Sequence, residues 1–281
     1  MLSDLTGRVA VITGGGSGIG AALARACAVA KMKVVVADVS RERADQVADS
    51  IRSAAAGALA VDADVADTES VELLAKAVDA EFGAPDLLFN NAGVSPFGLL
   101  WEFAPEDWNW VLGVNVIGVA NCIRSFVPRM IAAGRGGHIV NTASAAGLHS
   151  EPRLGAYCAT KHAVLGLSDS LRFDLRAYGI GVSVLCPGGV NTNIHQTLAR
   201  RSSADPASDL EADITAFMGA IDPVLSVAIE PDQLASLVLH GVRNDWPYIV
   251  TMPGMKATVE ARYQRILDAF DTAKAADPTL P

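Results

Sequence analysis

Short apolar runs alternate with amphipathic helical patterns through the first 190 residues of the chain. The runs include RVAVIT, KVVVAD, ALAVDADV, PDLLFNNAG, GHIVNTAS and GIGVSVLCPGG, and the helical patterns span about residues 19–30, 41–55, 70–82, 108–130 and 157–178. Strands separated by helices of this length form βαβ units, because two parallel strands need a long crossover connection. We therefore predict an α/β fold, a Rossmann-like doubly wound parallel sheet with helices on both faces.

The chain is predicted to form a single domain, 1–281, because α/β domains of this size are common. Beyond Gly189 the strand pattern weakens. The polar segment 193–228 is predicted to be a substrate lid rather than a linker, since long segments beside a sheet edge usually carry function. A helix over 231–243, a strand in YIVTMPG and a helix from residue 255 to about 275 follow, and residues 255–281 form a C-terminal extension.

The composition argues against several classes of partner. A net charge of −9 disfavours nucleic acid, which needs a basic binding face. No run of about 18 apolar residues lacks a charge or glycine, so no membrane span is expected, and the N-terminus lacks the basic region of a signal peptide, which favours the cytoplasm. The histidines and cysteines show no metal-ligand or disulfide pattern; the cysteines are Cys27, Cys122, Cys158 and Cys186.

A glycine-rich loop, TGGGSGIG at 13–20, lies between the first predicted strand and the first predicted helix. Such a loop lets the backbone approach a pyrophosphate, and the helix N-terminus offers unpaired N–H groups and a positive dipole. The spacing Gly14-x3-Gly18-x-Gly20 differs from the usual G-x-G-x-x-G. Alone, the loop could equally serve only the tight packing of the helix on the strand.

Asp38 ends the second predicted strand, 18 residues after Gly20. A carboxylate there accepts hydrogen bonds from the adenosine ribose diol and repels a 2′-phosphate, so NAD is favoured over NADP. The alternative is that Asp38 caps the following helix. Arg41 lies close enough in sequence to leave some tolerance of NADP.

Tyr157 and Lys161 are four residues apart at the start of a predicted helix, which places both side chains on one face. A neighbouring ammonium favours phenolate and lowers the tyrosine pKa from its usual value of about 10. Ser144 ends the strand GHIVNTAS, at the edge of the sheet where ligands bind. Without Ser144, the pair could be an ordinary partly exposed pair on an amphipathic helix.

Together, TGGGSGIG, NNAG at 90–93, Asn115, Ser144, YCATK and PGGVNT resemble the short-chain dehydrogenase/reductase family over about residues 5–192. The resemblance implies an NAD-dependent oxidoreductase that interconverts a secondary alcohol and a ketone. Tyr157 is then the general acid/base, and Ser144 holds the reacting oxygen. Lys161 binds the nicotinamide ribose and lowers the tyrosine pKa, while Asn115 kinks its helix and holds a water in a proton relay through Lys161.

The resemblance also assigns the cofactor contacts and an assembly. The cofactor-binding residues are Gly14, Ser17, Gly18, Ile19 and Gly20 at the pyrophosphate, Asp38 at the adenosine ribose, Asp64 and Val65 at the adenine, Asn91 through its backbone, Tyr157 and Lys161, and Val190 and Thr192 at the nicotinamide carboxamide. Family members commonly form tetramers through the helices of Trp108 and Tyr157, so we expect a homo-oligomer, either a dimer or a tetramer.

The substrate is expected to contact the strand ends and the segment after Thr192. The candidate lining residues are Val94, Ser95, Phe97, His149, Glu151, Leu154, Gly189, Ile194, His195 and Phe217. This mostly apolar set suits a bulky, partly aromatic alcohol or ketone. FVPRMIAAGRGGHIV and YGIGVSV are similar to bacterial Cα-dehydrogenases that act on lignin-derived aryl ethers. Alternatives are a 3-oxoacyl or hydroxysteroid reductase, a lyase or epimerase, and a non-catalytic dinucleotide sensor.

Overall fold

A computed structural model describes residues 2, 4–192, 194, 197–198, 212, 214–217, 219 and 228–279. The strands are β1 Val9–Thr13, β2 Lys33–Asp38, β3 Gly57–Asp62, β4 Leu87–Asn90, β5 Gly137–Thr142, β6 Ile180–Cys186 and β7 Tyr248–Val250. The α-helices are α1 Gly18–Val29, α2 Arg41–Ile51, α3 Thr68–Phe82, α4 Pro105–Leu112, α5 Gly118–Ala133, α6 Ala145–Leu148, α7 Gly155–Leu175, α8 Pro231–Arg243 and α9 Lys256–Ala276. A π-helical turn, Gly113–Ile117, joins α4 to α5, and 3-10 turns cover Leu100–Glu102, Arg176–Tyr178 and Pro253–Met255.

The seven strands form one parallel sheet in the order β3-β2-β1-β4-β5-β6-β7, which confirms the predicted fold class. The connections run in opposite directions on the two sides of β1, where Val11 lies between Val35 of β2 and Leu88 of β4. This reversal opens a crevice beyond the carboxyl ends of β1 and β4. The glycine loop therefore lies at the position where doubly wound sheets bind ligands.

Apolar side chains fill both faces of the sheet, which explains why the strands read as continuous apolar runs. One face is covered by α1 and α8, around the fully buried Leu23 and Met32. The other is covered by α3 and α5, around Leu74, Phe126 and Met130. The two packed faces hold the strand ends in fixed positions beneath the site.

Several element boundaries differ from the sequence prediction. The structure ends α2 at Ile51 rather than 55, and it ends β3 at Asp62. Asp64 and Val65 consequently lie in the loop after the third strand. The helix predicted over 108–130 is two helices separated by the π-helical turn. Of the predicted lid, 193–228, most residues lie outside the described part of the chain.

The helical stretch Pro105–Ala133, which contains charges and glycines, can be compared with the length and apolar composition that a membrane-crossing helix needs. By length and composition alone it meets that criterion, and among the described residues it is the single candidate. Half of its most apolar window is buried within the domain. Phe126 and Met130 pack in the core beside α3, as expected for the core helix of an α/β domain.

Candidate active site

The carboxyl ends of β1 and β4 are joined by Thr13 and Asn91. The backbone N–H groups of Asn91 and Ala92 donate to Thr13 Oγ1, at 3.0 and 3.2 Å. Asn91 Nδ2 donates to the carbonyl oxygens of Thr13 and Gly14, at 3.1 and 3.3 Å. The Asn91 side chain thus fixes the start of the glycine loop. Sequence reasoning missed Thr13, although its position just before the glycine run was a usable signal.

The glycines of the loop are required by space and by backbone conformation. Gly14 and Gly18 have φ values of +61° and +49°, which side chains rarely adopt. A Cβ at Gly14 would lie 2.8 Å from Ala92 Cα, and one at Gly20 would overlap the Gly14 carbonyl oxygen. The loop is therefore open to a ligand only because these positions carry no side chain.

The first turn of α1 is free to bind an anion. Its N-cap residue, Ser17, makes no side-chain capping hydrogen bond, and its first turn contains no acidic residue. The N–H groups around Ile19 therefore lack a side-chain acceptor, and the helix dipole favours negative charge there. Thr192 approaches from the other side of the crevice, since a Cβ at Gly18 would lie 3.1 Å from Thr192 Cγ2.

The Asp38 carboxylate is buried at the end of β2 and firmly oriented. Its Oδ2 accepts from the Gly16 N–H at 3.0 Å, and its Oδ1 accepts from the Ser40 N–H at 3.0 Å and from Arg43 Nη2 at 2.8 Å. The alternative that Asp38 caps α2 is wrong, because Ser40 is the N-cap and accepts from the Arg43 N–H.

The arginine beside Asp38 is Arg43 and not Arg41, contrary to the expectation from proximity in sequence. Arg41 Nε instead donates to Asp45, one turn further along α2, at 2.9 Å. The helical phase of α2 explains the difference, since residues two apart point to different sides of a helix. The side chain of Arg43 is half exposed, so it borders both the carboxylate and solvent.

Two loops carry the remaining predicted cofactor residues. Asp64 is exposed, and its Oδ1 accepts from the Ala66 N–H at 2.9 Å. Val65 is buried against α5, where a Cβ at Gly118 would lie 2.6 Å from Val65 Cγ2. After β6, Val190 forms an isolated parallel bridge with Ile229. Both loops follow the carboxyl ends of their strands, on the same edge of the sheet as the glycine loop.

Tyr157 lies in the first turn of α7 and meets Ser144 at the end of β5. Ser144 is the N-cap of α6, and its Oγ accepts from the Ala146 N–H at 3.1 Å. A hydrogen bond with Ser144 lowers the pKa of the Tyr157 phenol, but burial outweighs it and raises this pKa to about 12. Water no longer solvates a buried phenolate, so the neutral phenol is favoured.

Lys161 lies beside Tyr157, but burial of the phenol, and not this amine, sets the direction in which the pKa of Tyr157 shifts. Its Nζ lies 5.5 Å from the centroid of the Tyr157 ring and donates to the Thr142 carbonyl oxygen at 2.9 Å. The side chain is 3% exposed, and burial lowers the pKa of Lys161 to about 8. The amine can therefore hold or release a proton near neutral pH.

Asn115 lies in the π-helical turn and is bound on three sides. Its Nδ2 donates to the Val94 carbonyl oxygen at 2.8 Å and to Thr160 Oγ1 at 3.0 Å, and its Oδ1 accepts from the Val94 N–H at 2.9 Å. Thr160 Oγ1 in turn donates to the Tyr157 carbonyl oxygen at 2.7 Å. The turn thereby connects the loop after β4 to α7.

Gly93 lies next to both Asn115 and Lys161. A Cβ at this glycine would lie 3.5 Å from both Asn115 Oδ1 and Lys161 Nζ. The space at Gly93 therefore borders an amide oxygen and a buried amine at once. Gly93 and Thr160 were not singled out by sequence reasoning, although Gly93 is part of the quoted NNAG.

The predicted lid contacts the loop after β4. The rings of Phe97 and Phe217 have centroids 4.9 Å apart and planes tilted by 47°, and the Ser95 N–H donates to Thr197 Oγ1 at 2.9 Å. Phe97 is completely buried.

The other candidate lining residues differ in their burial. His149 Nδ1 lies 3.2 Å from Glu151 Oε1. Val94, Leu154 and Gly189 are partly buried, and Ile194 is exposed. His195 lies outside the described residues.

The fold is a doubly wound parallel sheet of the dinucleotide-binding kind, with an open glycine loop and an oriented acid at the end of β2. Beside the loop, a tyrosine hydrogen-bonded to a serine is suited to acid/base chemistry. The chain matches the family described as short chain dehydrogenase over residues 8–203. The protein belongs to this family, as its sequence motifs predict.

Individual relatives cover nearly the whole chain. The C alpha-dehydrogenase of Sphingobium sp. (strain NBRC 103272 / SYK-6) is 35% identical over 95% of this chain and 88% of its own. The 2,5-dichloro-2,5-cyclohexadiene-1,4-diol dehydrogenase of Sphingobium indicum is 36% identical over 79% of this chain and 85% of its own. The structure resembles that of a short chain dehydrogenase/reductase from Burkholderia phymatum in complex with NAD, with a TM-score of 0.87, 41% identity and coverage of 94% and 95% of the two chains.

Proposed function

We propose that the protein is an NAD(H)-dependent oxidoreductase that interconverts a secondary alcohol and a ketone. The observation that carries this proposal is the buried Tyr157 phenol, hydrogen-bonded to Ser144 and adjacent to Lys161, at the same sheet edge as the glycine loop. A protein that only senses a dinucleotide needs the loop but has no use for a buried proton donor.

The residues present fit a dinucleotide. The open loop and the uncapped first turn of α1 suit the pyrophosphate, and Asp38 offers an acceptor-only group to ribose hydroxyls. Lys161 and Tyr157 would hold a ribose of the second nucleotide. The nicotinamide of the bound cofactor supplies the hydride chemistry. The similar Burkholderia phymatum protein in complex with NAD and the Asp38 carboxylate both support NAD.

The chain's own residues manage the proton. Tyr157 Oη, with a pKa of about 12, keeps its proton at neutral pH and can donate it to a carbonyl oxygen of the substrate. Ser144 Oγ donates to the same oxygen and stabilises its developing charge. In the oxidative direction Tyr157 must first lose its proton, and the Lys161 amine is the nearby group that titrates close to neutrality.

The substrate is proposed to be a hydrophobic or aryl secondary alcohol. The Phe97–Phe217 contact places two aromatic rings where the predicted lid meets the loop after β4. Relatives whose names specify a Cα-dehydrogenase and a cyclohexadiene-diol dehydrogenase support a ring-bearing alcohol. The second candidate is a 3-oxoacyl reductase, favoured by a 30% identical 3-ketoacyl-(acyl-carrier-protein) reductase structure from Brucella melitensis. Initial rates on benzylic alcohols, hydroxysteroids and a 3-oxoacyl thioester distinguish these.

The proposal is tested by Tyr157→Phe. Removing the phenol oxygen eliminates the proton donor and should lower kcat by at least about 100-fold. NADH affinity, measured by fluorescence titration, should change less than threefold, and Tyr178→Phe, which removes an exposed phenol oxygen just after α7, serves as a matched control. Unchanged turnover in Tyr157→Phe would refute the assignment. Net formation of NADH from an alcohol excludes an epimerase, which returns the hydride to its substrate.

We further propose that the protein assembles as a homo-oligomer in the cytoplasm, binding neither nucleic acid nor membrane. Exposed apolar residues suited to an interface between copies lie on the helical stretch of Trp108, at Leu112 and Ile117, and on α7, at Phe173. The four buried, unpaired cysteines are typical of a reducing compartment. Sedimentation at several protein concentrations tests the assembly.

A further inference from the structure

The C-terminal helix α9 presents an apolar stripe that nothing in the described part of the chain covers. None of its 21 residues is buried. Tyr263, Ile266, Leu267 and Phe270 are exposed by 48, 44, 57 and 71%. Their spacing of three, four and seven residues places them on one face of the helix. A helix gains most of its stability by packing such a face, so the stripe requires an occupant.

The beginning of α9 is held by its own domain, but the stripe is not. Val259 and Arg262 are partly buried, and Arg262 Nη1 donates to the Leu148 carbonyl oxygen at 3.3 Å. Arg262 lies about a quarter-turn from the centre of the stripe, at 100° per residue. Val259 lies at the start of the apolar face, so the domain contacts that end of it, and the face is exposed from Tyr263 to Phe270.

The stripe is complementary to a second, antiparallel copy of itself. With the two-fold axis between Ile266 and Leu267, Tyr263 of one copy lies opposite Phe270 of the other, and Ile266 lies opposite Leu267. This arrangement buries each large side chain against another. It is isologous, as a two-fold interface must be.

The charges on the same face agree with the antiparallel arrangement. In that register Lys256 lies opposite Asp277, the residue just after α9, and Glu260 lies within one residue of the position opposite Lys274, so charges of opposite sign meet at both ends of the contact. In a parallel pairing each of these residues would face a copy of itself, and like charges would repel. Charge thus selects one orientation.

The area is also sufficient. The four exposed side chains present on the order of 500 Å² per chain. Two copies would together bury about 1,000 Å², which is the lower limit for a specific interface. We propose that α9 is a self-association helix that pairs with α9 of a second copy of the chain in an antiparallel, two-fold contact. This interface is separate from the one proposed above for α7.

Disulfide trapping tests the geometry directly, and the native cysteines do not interfere because all four are buried. Leu267→Cys lies next to the axis and should form a covalent dimer under mild oxidation. Arg265→Cys, at the same height on the opposite face, is the matched control and should remain monomeric on a denaturing gel. Equal crosslinking of both variants would indicate random collision and would overturn the proposal.

A mixture of two variants tests the orientation. Tyr263→Cys and Phe270→Cys should each fail to link to themselves, because the two identical positions are about 10 Å apart along the axis. Mixed together, they should form a disulfide between different chains. Self-linking of Tyr263→Cys would show a parallel pairing, and absence of any link in the mixture would show that another surface covers the stripe; either overturns the proposal.

Molar mass measured by light scattering gives an independent test. The double variant Ile266→Glu/Phe270→Glu should halve the mass of the native assembly, whereas Ala261→Glu, on the far face, should leave it unchanged. An unaltered mass in the double variant would overturn the proposal. The mass of the double variant also tests the α7 interface separately. A dimeric variant would retain the α7 interface, whereas a monomeric variant would show that the α7 interface does not form.

Discussion

Replacing Asp38 with asparagine should shift the cofactor preference from NAD towards NADP. The substitution keeps the shape of the side chain but removes its negative charge from beside Gly16, at the mouth of the glycine loop. It also releases Arg43, whose guanidinium now lies 2.8 Å from the carboxylate, to attract a 2′-phosphate. Both changes favour NADP.

The magnitude follows from the electrostatics of a partly exposed site. Two unit charges about 5 Å apart interact by about 1–3 kcal/mol at effective dielectric constants between 80 and 20. Removing one repulsion of this size corresponds to a roughly 5- to 150-fold change in relative affinity. Two backbone N–H groups, those of Gly16 and Ser40, also lose a charged acceptor, so the variant should be less stable by about 1 kcal/mol or more.

The assay is the ratio of kcat/KM for NAD to kcat/KM for NADP, measured for native and Asp38→Asn protein with the same alcohol. Arg41→Ala is the matched control, since Arg41 pairs with Asp45 and should leave the ratio unchanged. Adding Arg43→Ala to Asp38→Asn should reverse much of the gain with NADP. A ratio that moves less than threefold, or that responds to Arg41→Ala instead, would refute the reasoning.

Two further substitutions probe buried polar groups. Asn115→Ala removes three hydrogen bonds and leaves the Val94 N–H and carbonyl unpaired. The free energy of unfolding, measured in urea, should therefore fall by about 2–4 kcal/mol. The exposed Asn109→Ala should change it little, and equal effects of the two variants would contradict this prediction. Burial lowers the pKa of His138 from 6.5 to about 4. Below pH 6.5 the unfolded chain therefore binds more protons than the folded chain, and stability decreases as the pH is lowered. Between pH 7 and 5 native protein should lose about 2 kcal/mol more than His138→Gln, and parallel pH profiles of the two proteins would exclude this role for His138.

The fold could be predicted because its local patterns agree with its global arrangement. Buried parallel strands such as VAVIT and KVVVAD are apolar on both faces, and the helices between them are amphipathic. The helix over 231–243 has the predicted ends, since Pro231 can begin a helix but cannot continue one. The family resemblance predicted a kink at Asn115, but the local sequence pattern did not predict the π-helical turn, because the turn depends on the hydrogen bonds of Asn115 to Val94 and Thr160, which lie 21 and 45 residues away.

The candidate site likewise combines residues that the sequence identified with features that only distant contacts determine. The glycine loop, Asp38, Ser144, Tyr157 and Lys161 were identified by residue type and order, and the structure brings them to one edge of the sheet. Arg43, which contacts Asp38, was not singled out beside Arg41, because sequence proximity does not specify the phase of α2. The helical spacing of the four exposed side chains of α9 can be read from the sequence. It does not reveal whether the rest of the domain covers that face of the helix.

The sequence by itself determined which residues carry chemistry and in what order the strands and helices follow one another, because side-chain type and hydrophobic period are local properties. Only the tertiary structure decided the pKa values of those residues. Burial raises the pKa of Tyr157 and lowers that of Lys161, because each charged form loses its water when the packed domain encloses it. That loss depends on every element around the site, and no stretch of sequence encodes it alone.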